Sequence, residues 1–394
     1  MCIIYHRDGE DSLINIHNAR FESFGGIVSL DRPAVTAYLD RSAMRSLGYT
    51  ASPLWEQDSG HLSAPLTAHF AVTRQCPLGC RMCYNNSGKS TQPELSTAEI
   101  KRVLDELARM QVFTVAFGGG EPLSRPDIFE LAQYTRQAGM IPTMTTNGYY
   151  VDPQIAHQCR VFDHIHVSLD GIGEHYRTAR GVDAFQHADR AIHLLRRERI
   201  PVGVNCIVSR LNFDHLEELT RYLRQVGIRD VIFLRLKPQG RASSDYSQSR
   251  LTPEQAWNFY PRLVELARHY HLQAHVDCAM MPFLYAHQPD LKRLQVSCGE
   301  GCRGANEIIE ISADGLAHAC SFAVGSAGDA WYLSQAWHTA PHLARFRQLR
   351  EYAAEPCLTC SYFDLCRGGC HALTEALTGD FFAPDPECPF VEGG

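Results

Sequence analysis

Six short runs rich in β-branched and aromatic residues alternate with amphipathic stretches between residues 66 and 238. Strands are predicted at residues 66–73, 114–117, 142–146, 164–169, 202–208 and 231–236. The amphipathic stretches predict helices at residues 97–110, 128–138, 184–197 and 215–226. Strands that alternate with helices are typically parallel and joined by right-handed crossovers. Six units are too few for a closed eight-stranded barrel, so we predict an α/β fold built on a partial (β/α)6 TIM-like barrel.

The segments on either side of the predicted barrel have different patterns. Residues 1–65 predict a small N-terminal α+β element, with strand and turn at 22–28 and a helix at 33–47. After the barrel, cysteine, glycine and proline interrupt a loop-rich stretch of the kind that folds around metal. We therefore predict three domains, at residues 1–65, 66–290 and 291–394.

Composition limits the partners and the compartment. The 394 residues include 37 basic and 44 acidic side chains, and the net charge of −7 argues against nucleic acid or an anionic membrane as partner. No apolar run approaches the roughly 18 residues of a membrane span, and no signal-peptide core is found at the N-terminus. A cytoplasmic protein is expected. In such a chain, fifteen cysteines indicate metal binding rather than disulfides.

Three cysteines occupy one loop directly after the first predicted strand. Cys76, Cys80 and Cys83 have the spacing C-x3-C-x2-C, and thiolates favour iron–sulfur clusters, zinc or Cu(I). A fully ligated electron-transfer cluster takes four cysteines, so three thiols leave one iron free to bind a substrate or a cofactor. Spacing alone leaves zinc open, because the C-x2-C pair that begins at Cys357 is also typical of zinc sites.

Polar motifs follow the next three predicted strands. Gly-Gly-Gly-Glu-Pro stands at residues 118–122, Thr-Thr-Asn-Gly at 145–148 and Ser-Leu-Asp-Gly at 168–171. Each is by itself also an ordinary turn sequence. Because the carboxyl ends of barrel strands meet at one rim, we expect the three motifs to face the cysteine loop.

In this order, the cysteine loop and the three motifs resemble those of the radical S-adenosylmethionine (SAM) superfamily. The resemblance implies that Cys76, Cys80 and Cys83 hold a [4Fe–4S] cluster whose open iron is chelated by the amino and carboxylate groups of SAM. Reduction of the cluster would then cleave SAM to methionine and a 5′-deoxyadenosyl radical, which abstracts a substrate hydrogen. The implied SAM contacts are Met82, Gly119, Gly120, Glu121, Asn147, Ser168 and Arg180.

The resemblance also implies which part of SAM most of these residues would contact. Residues 119–121 would receive the methionyl ammonium, and Met82 would lie beside the adenine. Ser168 and Arg180 would contact the ribose and the carboxylate. The alternative for Arg180 is an ion pair at the protein surface.

The C-terminal cysteines resemble the SPASM domain, which carries two auxiliary [4Fe–4S] clusters. The resemblance implies interleaved ligation, in which distant segments share a cluster. The isolated Cys2, Cys159, Cys206 and Cys278 are interpreted as buried apolar residues. The implied ligands are Cys298, Cys302, Cys320 and Cys370 for the first auxiliary cluster, and Cys357, Cys360, Cys366 and Cys388 for the second.

SPASM enzymes mostly modify peptides and proteins, so the resemblance implies a maturase of a ribosomally made precursor peptide. Crosslinking, thioether formation or oxidative decarboxylation is expected, with flavodoxin or ferredoxin as electron donor. Formylglycine formation is not expected, because Ser321 follows Cys320 where the sulfatase maturases of the family carry an aspartate base.

Three questions stay open at this point. The enzymatic alternative is a small-molecule substrate such as a tetrapyrrole. The non-enzymatic alternative is an iron–sulfur electron carrier or a zinc-stabilised binding protein, although a carrier needs neither an open iron nor a Gly-Gly-Glu loop. Residues 1–65 either bind a peptide by strand addition or only cover an edge of the barrel.

Overall fold

The computed structural model describes residues 16–30, 35–57, 60–90, 92–290 and 300–391. The strands in these residues are β1 (Ile16–Glu22), β2 (Gly25–Leu30), β3 (Val35–Asp40), β4 (Thr67–Thr73), β5 (Thr114–Gly119), β6 (Ile141–Thr146), β7 (His164–Ser168), β8 (Val202–Val208), β9 (Asp230–Arg235), β10 (Gln273–Val276), β11 (Ile308–Ile311) and β12 (Ala317–His318). The helices are α1 (Arg41–Ser46), α2 (Thr97–Arg109), α3 (Ile128–Gln137), α4 (Pro153–Gln158), α5 (Glu174–Arg180), α6 (Phe185–Arg197), α7 (Leu216–Gln225), α8 (Tyr246–Ser249), α9 (Pro253–Tyr270), α10 (Met281–Tyr285), α11 (Leu333–Thr339), α12 (Pro341–Ala344), α13 (Phe363–Cys366) and α14 (His371–Thr378).

Strands β4 to β9 stand side by side in chain order, and every neighbouring pair is parallel. This confirms the α/β fold with a partial (β/α)6 barrel. The six predicted strands and four predicted helices all form, with ends within two residues of those predicted. The sheet also extends beyond both sides of this barrel. Strand β10 pairs with β9, and β11 pairs in parallel with β4 and antiparallel with β12.

Two periodicities in the sequence explain the barrel wall. Alternate strand residues such as Val115, Val167 and Val204 are fully buried under the helices, while the residues between them face the concave side. Helix α2 shows the matching helical pattern. Its first turn has a capping box, in which Ser96 and Glu99 each accept a hydrogen bond from the backbone N–H of the other. The apolar face of α2 that is buried against the sheet comprises Ile100, Val103, Leu104 and Leu107.

The N-terminal element contains a three-stranded antiparallel sheet in the order β1-β2-β3. The predicted strand and turn at residues 22–28 are confirmed by the hairpin between β1 and β2. The helix predicted at residues 33–47 is wrong in its described first half, because β3 lies there and α1 begins only at Arg41. Val35, Thr36 and Tyr38 favour a strand, and pairing with β2 decides between the two states. The side chain of Asp40 then starts α1 by accepting from the Ala43 N–H.

A buried ion pair fastens this sheet to the chain that enters the barrel. Arg20 and Glu22 on β1 are each 2% exposed, with Arg20 Nε 2.8 Å from Glu22 Oε1. The guanidinium also donates to the carbonyls of Ala64 and Pro65 at 2.8 and 2.9 Å, and Glu22 accepts from the Ser63 N–H at 2.7 Å. The guanidinium of Arg20 and the carboxylate of Glu22 therefore both have hydrogen-bond partners in residues 63–65, just before β4.

The C-terminal part of the chain has short elements separated by loops, as its composition predicts. Strand β11 lies in the predicted domain 291–394 and yet belongs to the barrel sheet. The domain boundaries stay predictions. Among the described residues, no helix combines the length and the apolar character needed to cross a membrane.

Candidate active site

The cysteine loop leaves the carboxyl end of β4 and is closed by backbone hydrogen bonds. The Cys76 N–H donates to the Gly88 carbonyl at 2.9 Å, and the Gly88 N–H donates back to Arg74 at 3.0 Å. Within the loop, Cys83 Sγ accepts from the Ser87 N–H at 3.4 Å. Cys80 is buried and the two other thiols are half-buried. The loop therefore presents its three thiols from a fixed backbone.

The three thiols share one environment, but they are not packed tightly. Burial and, to a smaller extent, the nearby Glu121, Cys80 and Cys83 raise the pKa of Cys76 to about 11. Among the described residues, the groups whose ligand atoms all lie within 4.8 Å of one another contain no cysteine. Thiolates around one tetrahedral zinc ion lie about 3.8 Å apart. The three thiols of this loop are thus not all as close together as the ligands of one zinc ion.

An arginine that the sequence motifs did not indicate holds the loop from above. Arg241 follows β9, and its guanidinium donates to the carbonyls of Cys80 at 2.8 Å and Ser87 at 2.7 Å. The Arg241 N–H also donates to the Cys83 carbonyl at 2.9 Å. The available signal was its position, directly after the sixth strand, at the same rim as the other motifs.

The glycine motif after β5 is packed against the base of the cysteine loop. The Gly120 N–H donates to the Thr73 carbonyl at 2.7 Å, and a Cβ at Gly120 would lie 2.1 Å from the Gln75 carbonyl oxygen. Gly119 has a φ of +110°, which side chains rarely adopt. Glycine is therefore required at both positions for the strand ends to meet.

The carboxylate of Glu121 ties the end of β5 to the end of β6. It is fully buried and accepts from the Thr146 hydroxyl at 2.8 Å, the Asn147 N–H at 2.7 Å and the Leu123 N–H at 3.1 Å. Burial raises the pKa of Glu121 to about 7, against the opposing effect of these donors. Asn147 in turn places its amide nitrogen 3.5 Å from Cys76 Sγ.

Ser168 is the last residue of β7 and lies beside Asn205 in the middle of β8, a residue that the sequence motifs did not indicate. Ser168 pairs in register with Asn205, so both side chains face the concave side of the barrel. Asn205 donates to the Thr145 hydroxyl at 3.5 Å, and its own buried Oδ1 has no hydrogen-bond partner among the described residues. Period-two alternation along β8 was the signal that could have identified Asn205.

Arg180 lies inside the protein, at the end of α5, and is 9% exposed. Its Nη1 is 3.1 Å from Asp170 Oδ2, and its carbonyl accepts from the Arg81 N–H of the cysteine loop at 2.8 Å. Two of its buried nitrogens, Nε and Nη1, make no hydrogen bond within the described chain. The alternative of a surface ion pair therefore does not describe Arg180.

Met82 completes the surroundings of the cysteine loop. Its side chain is 5% exposed and lines a small pocket with Ala179, Leu236 and Ala242. The pocket lies between the cysteine loop, α5 and the loop after β9. Met82 and its neighbours in this pocket therefore form an apolar surface next to the polar groups of the cysteine loop and Arg180.

The C-terminal cysteines form two groups. In the first, burial and, to a smaller extent, the neighbouring Cys370 and Cys278 raise the pKa of Cys320 to about 12. The same neighbours act on Cys302. Cys278, interpreted from the sequence as an isolated apolar residue, thus lies beside this group. Cys298 lies outside the described residues.

The second group surrounds an apolar cavity. Its four thiols come from three separate segments of the loop-rich region, and aromatic and proline side chains close the remaining walls. The isolated cysteines of the barrel behave differently, since Cys159 and Cys206 are fully buried in the core as predicted. The thiols that line the cavity are Cys357, Cys360, Cys366 and Cys388.

A polar cluster of His69, Glu310 and Ser321 joins the barrel to the C-terminal region. Glu310 on β11 accepts from the Ser321 hydroxyl at 2.7 Å, and that hydroxyl lies 3.4 Å from Nδ1 of His69 on β4. Burial raises the pKa of Glu310 to about 8 and lowers that of His69 to about 4. Next to Ser321, Lys237 Nζ lies 4.2 Å from the ring centre of Phe322.

Comparison with known sequences identifies relatives over most of the chain. A model of the radical SAM superfamily matches residues 70–223. Mycofactocin maturase MftC of Mycolicibacterium smegmatis is 33% identical over 349 residues, which cover 86% of each chain. AdoMet-dependent heme synthase of Methanosarcina barkeri is 27% identical over 84% of this chain and 98% of its own.

Three solved structures, which represent two proteins, share the fold. Streptococcus suis SuiB bound to S-adenosylmethionine has a TM-score of 0.74 at 16% identity, covering 94% of this chain and 98% of SuiB. SuiB bound to precursor peptide SuiA has a TM-score of 0.73 at 16% identity and the same coverage. Native anSMEcpe with bound AdoMet has a TM-score of 0.65 at 19% identity, covering 82% of this chain and 94% of anSMEcpe.

Proposed function

The chain belongs to the radical SAM superfamily of enzymes, and from that premise we propose that it modifies a ribosomally made precursor peptide. The observation that carries the proposal is the 33% identity to a mycofactocin maturase over 86% of both chains. The heme synthase is less similar, at 27% identity, so a tetrapyrrole is the less favoured substrate.

The residues at the barrel rim fit SAM and its cluster. Cys76, Cys80 and Cys83 would hold the [4Fe–4S] cluster, and their spacing suits a cube better than one zinc ion. The buried Nε and Nη1 of Arg180 make no hydrogen bond in the described chain, although Nη1 lies 3.1 Å from Asp170 Oδ2, and they offer donors for the SAM carboxylate. Ser168 would contact the ribose of SAM. The neighbouring Asn205 Oδ1, which has no hydrogen-bond partner in the described chain, would be a second acceptor for the ribose. The remaining proposed contacts are Met82, Gly119, Gly120, Glu121 and Asn147.

The protein itself contributes the position of the cysteine loop and of the strand ends. When bound, the reduced cluster and SAM supply a 5′-deoxyadenosyl radical that takes a hydrogen atom from the substrate. Arg241 keeps the cysteine loop in one conformation, and Glu121 holds the two strand ends together. Arg241 is a positioning residue, because its guanidinium binds backbone carbonyls of the loop, and Glu121 combines a positioning role with its proposed SAM contact.

We propose two auxiliary [4Fe–4S] clusters in the C-terminal region. The cavity lined by four thiols supports the second, on Cys357, Cys360, Cys366 and Cys388. Cys302, Cys320 and Cys370 would hold the first, with Cys298 as the fourth ligand implied by the resemblance. The neighbouring Cys278 offers a competing fourth thiol.

A peptide substrate has two surfaces available to it. The N-terminal sheet has β1 and β3 as its edge strands, to which an extended leader could add by backbone hydrogen bonding. The cluster of His69, Glu310 and Ser321 lies between the barrel and the proposed first auxiliary cluster. Its buried carboxyl is the group there best suited to exchange a proton with substrate. A flavodoxin or ferredoxin is the proposed electron donor.

Anaerobic reconstitution tests the SAM site. Wild-type protein should bind about twelve irons per chain for three [4Fe–4S] clusters and release 5′-deoxyadenosine when reduced in the presence of SAM. The variant with Cys76, Cys80 and Cys83 all changed to Ala should keep about eight irons and form no 5′-deoxyadenosine. Cys206→Ala, in the barrel core, is the control. Cleavage of SAM by the triple variant would overturn the assignment.

The substrate needs a separate assay. Short peptides encoded next to the gene should be incubated with the reduced holoenzyme and SAM, and their mass change measured. A peptide that loses hydrogen or carbon dioxide in step with 5′-deoxyadenosine formation supports the maturase. Turnover of an iron tetrapyrrole with no change in any such peptide would overturn it.

A further inference from the structure

A second set of metal-ligating side chains lies inside the barrel, at the end opposite the cysteine loop. His164 is the first residue of β7 and Asp230 the first of β9, so both lie at the amino ends of their strands. Ser168 is at the other end of β7, about 13 Å from His164 along an extended strand. The set is therefore separate from the site proposed to cleave SAM.

Three of these side chains converge on one point. His164 and His166 are alternate residues of β7, and their rings stack with centroids 4.4 Å apart. Their Nε2 atoms lie 3.2 and 3.4 Å from the same Oδ2 of Asp230. Gly203 on the intervening β8 leaves the space, because a Cβ there would lie 2.7 Å from His166 Nε2 and 2.8 Å from Asp230 Oδ2.

The two imidazole nitrogens at this point share a single acceptor, the Asp230 carboxylate. Both Nε2 atoms are buried, and although they lie 3.2 and 3.4 Å from Asp230 Oδ2, neither makes a well-aligned hydrogen bond within the described residues. Coordination of a cation would satisfy both nitrogens and the carboxylate at once.

We propose that His164, His166, Asp230 and His275 bind one zinc ion. Nitrogen and oxygen ligands bind zinc at about 2.0–2.1 Å, which places tetrahedral ligands about 3.3 Å apart. The observed separations from Asp230 Oδ2, 3.2 and 3.4 Å, match that value. The set contains no thiolate, so it suits zinc rather than an iron–sulfur cluster.

His275 on β10 supplies the fourth ligand. Its Nε2 lies 3.7 Å from Asp230 Oδ1, and its ring is 63% exposed, so a rotation of the side chain brings it to the ion. Strand β10 is an edge of the described sheet. Zinc held jointly by β7, β9 and β10 would fasten this edge strand across the barrel. Four protein ligands are typical of such a structural site.

Zinc K-edge X-ray absorption of the reconstituted full-length protein tests the proposal. After chelator treatment and addition of one equivalent of Zn²⁺, we expect a shell of nitrogen and oxygen only, at about 2.0–2.1 Å. Zinc that had entered cysteine sites would instead show sulfur at about 2.3 Å. A sulfur shell, or no stoichiometric zinc, would overturn the site.

Two variants and a matched control give an independent measurement, a zinc affinity by chelator competition. His166→Gln should abolish tight binding, and His275→Gln should weaken it at least about tenfold. His193→Gln should change nothing, because His193 makes a comparable pair with Asp189, at 3.6 Å, on the helix surface. Iron content shows whether each variant is folded. If His166→Gln does not fold, the exposed His275 still decides, since unchanged affinity in His275→Gln contradicts the four-ligand site.

Discussion

At the scale of single residues, Arg180 is a buried cation whose hydrogen-bonding capacity the protein leaves partly unused. Burial alone would lower its pKa, but the Asp170 carboxylate raises it well above the usual value, so the side chain stays charged. A hydrogen bond to a charged group contributes about 1.5–3 kcal/mol. Arg180→Gln should therefore weaken SAM binding roughly tenfold to a hundredfold, measured by equilibrium dialysis of the reconstituted protein.

The same helix offers a control for this prediction. Arg177 on α5 forms an exposed ion pair with Glu174, and Arg177→Gln should leave SAM affinity unchanged. Equal affinities for the two variants would mean that Arg180 is only a structural partner of Asp170.

A second residue-level prediction concerns the fourth thiol of the first auxiliary cluster. Because Cys278 lies beside Cys302, Cys320 and Cys370, we expect Cys278→Ala to lower the iron content and to change the electron paramagnetic resonance signal of that cluster. Cys298→Ala is the direct comparison, and Cys206→Ala is the control. Full iron content and an unaltered signal in Cys278→Ala would leave Cys298 as the ligand.

Glu310 predicts a pH dependence of stability. Its ordinary pKa is 4.5, and burial raises it to about 8 in the folded protein. Between these values the folded chain keeps a proton that the unfolded chain has released, so stability falls as pH rises through this window. Melting curves should show a smaller fall for Glu310→Gln between about pH 5 and pH 8. Parallel curves for the two proteins would contradict a buried, protonated carboxyl.

At the scale of elements, the local hydrophobic pattern predicted the strands and helices whose state does not depend on pairing with a distant segment. The six barrel strands and four of the helices follow from hydrophobic period and are confirmed. Strands β10 and β11 were not predicted, because they are four residues long and are defined by pairing with β9 and β4. Strand β3 was predicted as helix for the same reason, since its state depends on pairing with β2.

The candidate site likewise contains residues that sequence motifs indicate and residues that only tertiary contacts relate to the site. Motif order indicated the three rim segments, of which the first two contact the cysteine loop and the third is linked to it through Asp170 and Arg180. Arg241 and Asn205 carry no motif, and their relation to the site comes from contacts between segments far apart in sequence. Strand order and the alternation along β8 could have placed the two residues near the rim, but the contacts that they make there leave no pattern in the local sequence.

The junction between β4 and β5 yields an element-level prediction. A Cβ at Gly120 would lie 2.1 Å from the Gln75 carbonyl, whereas one at Gly118 would meet nothing within 4 Å. Overpacking of this kind destabilises by about 1–3 kcal/mol, so Gly120→Ala should melt several degrees lower and lose iron from the cysteine loop. Gly118→Ala should do neither. Matching iron contents and melting curves would show that the strand ends adapt.

At the scale of the whole molecule, the three parts of the chain are joined by specific contacts. Strand β11 inserts the C-terminal region into the barrel sheet, next to the strand that leads to the cysteine loop. The N-terminal sheet is joined by Arg20 and Glu22, whose partners lie just before β4. Both attachments therefore lie along or just before β4, the strand whose carboxyl end leads to the proposed SAM site.

Arg20 allows this arrangement to be tested without a known substrate. Removal of one partner from a buried ion pair destabilises a folded protein by about 3–5 kcal/mol. In this protein the change would weaken the contact between the N-terminal sheet and residues 63–65. Arg20→Ala should speed hydrogen–deuterium exchange in β1 and β2, while β5 to β8 keep wild-type protection. Arg41→Ala is the control, since Arg41 bonds to the exposed Ser23 carbonyl within the sheet. Faster exchange throughout the barrel would mean that the N-terminal sheet is part of its core rather than an element attached to it.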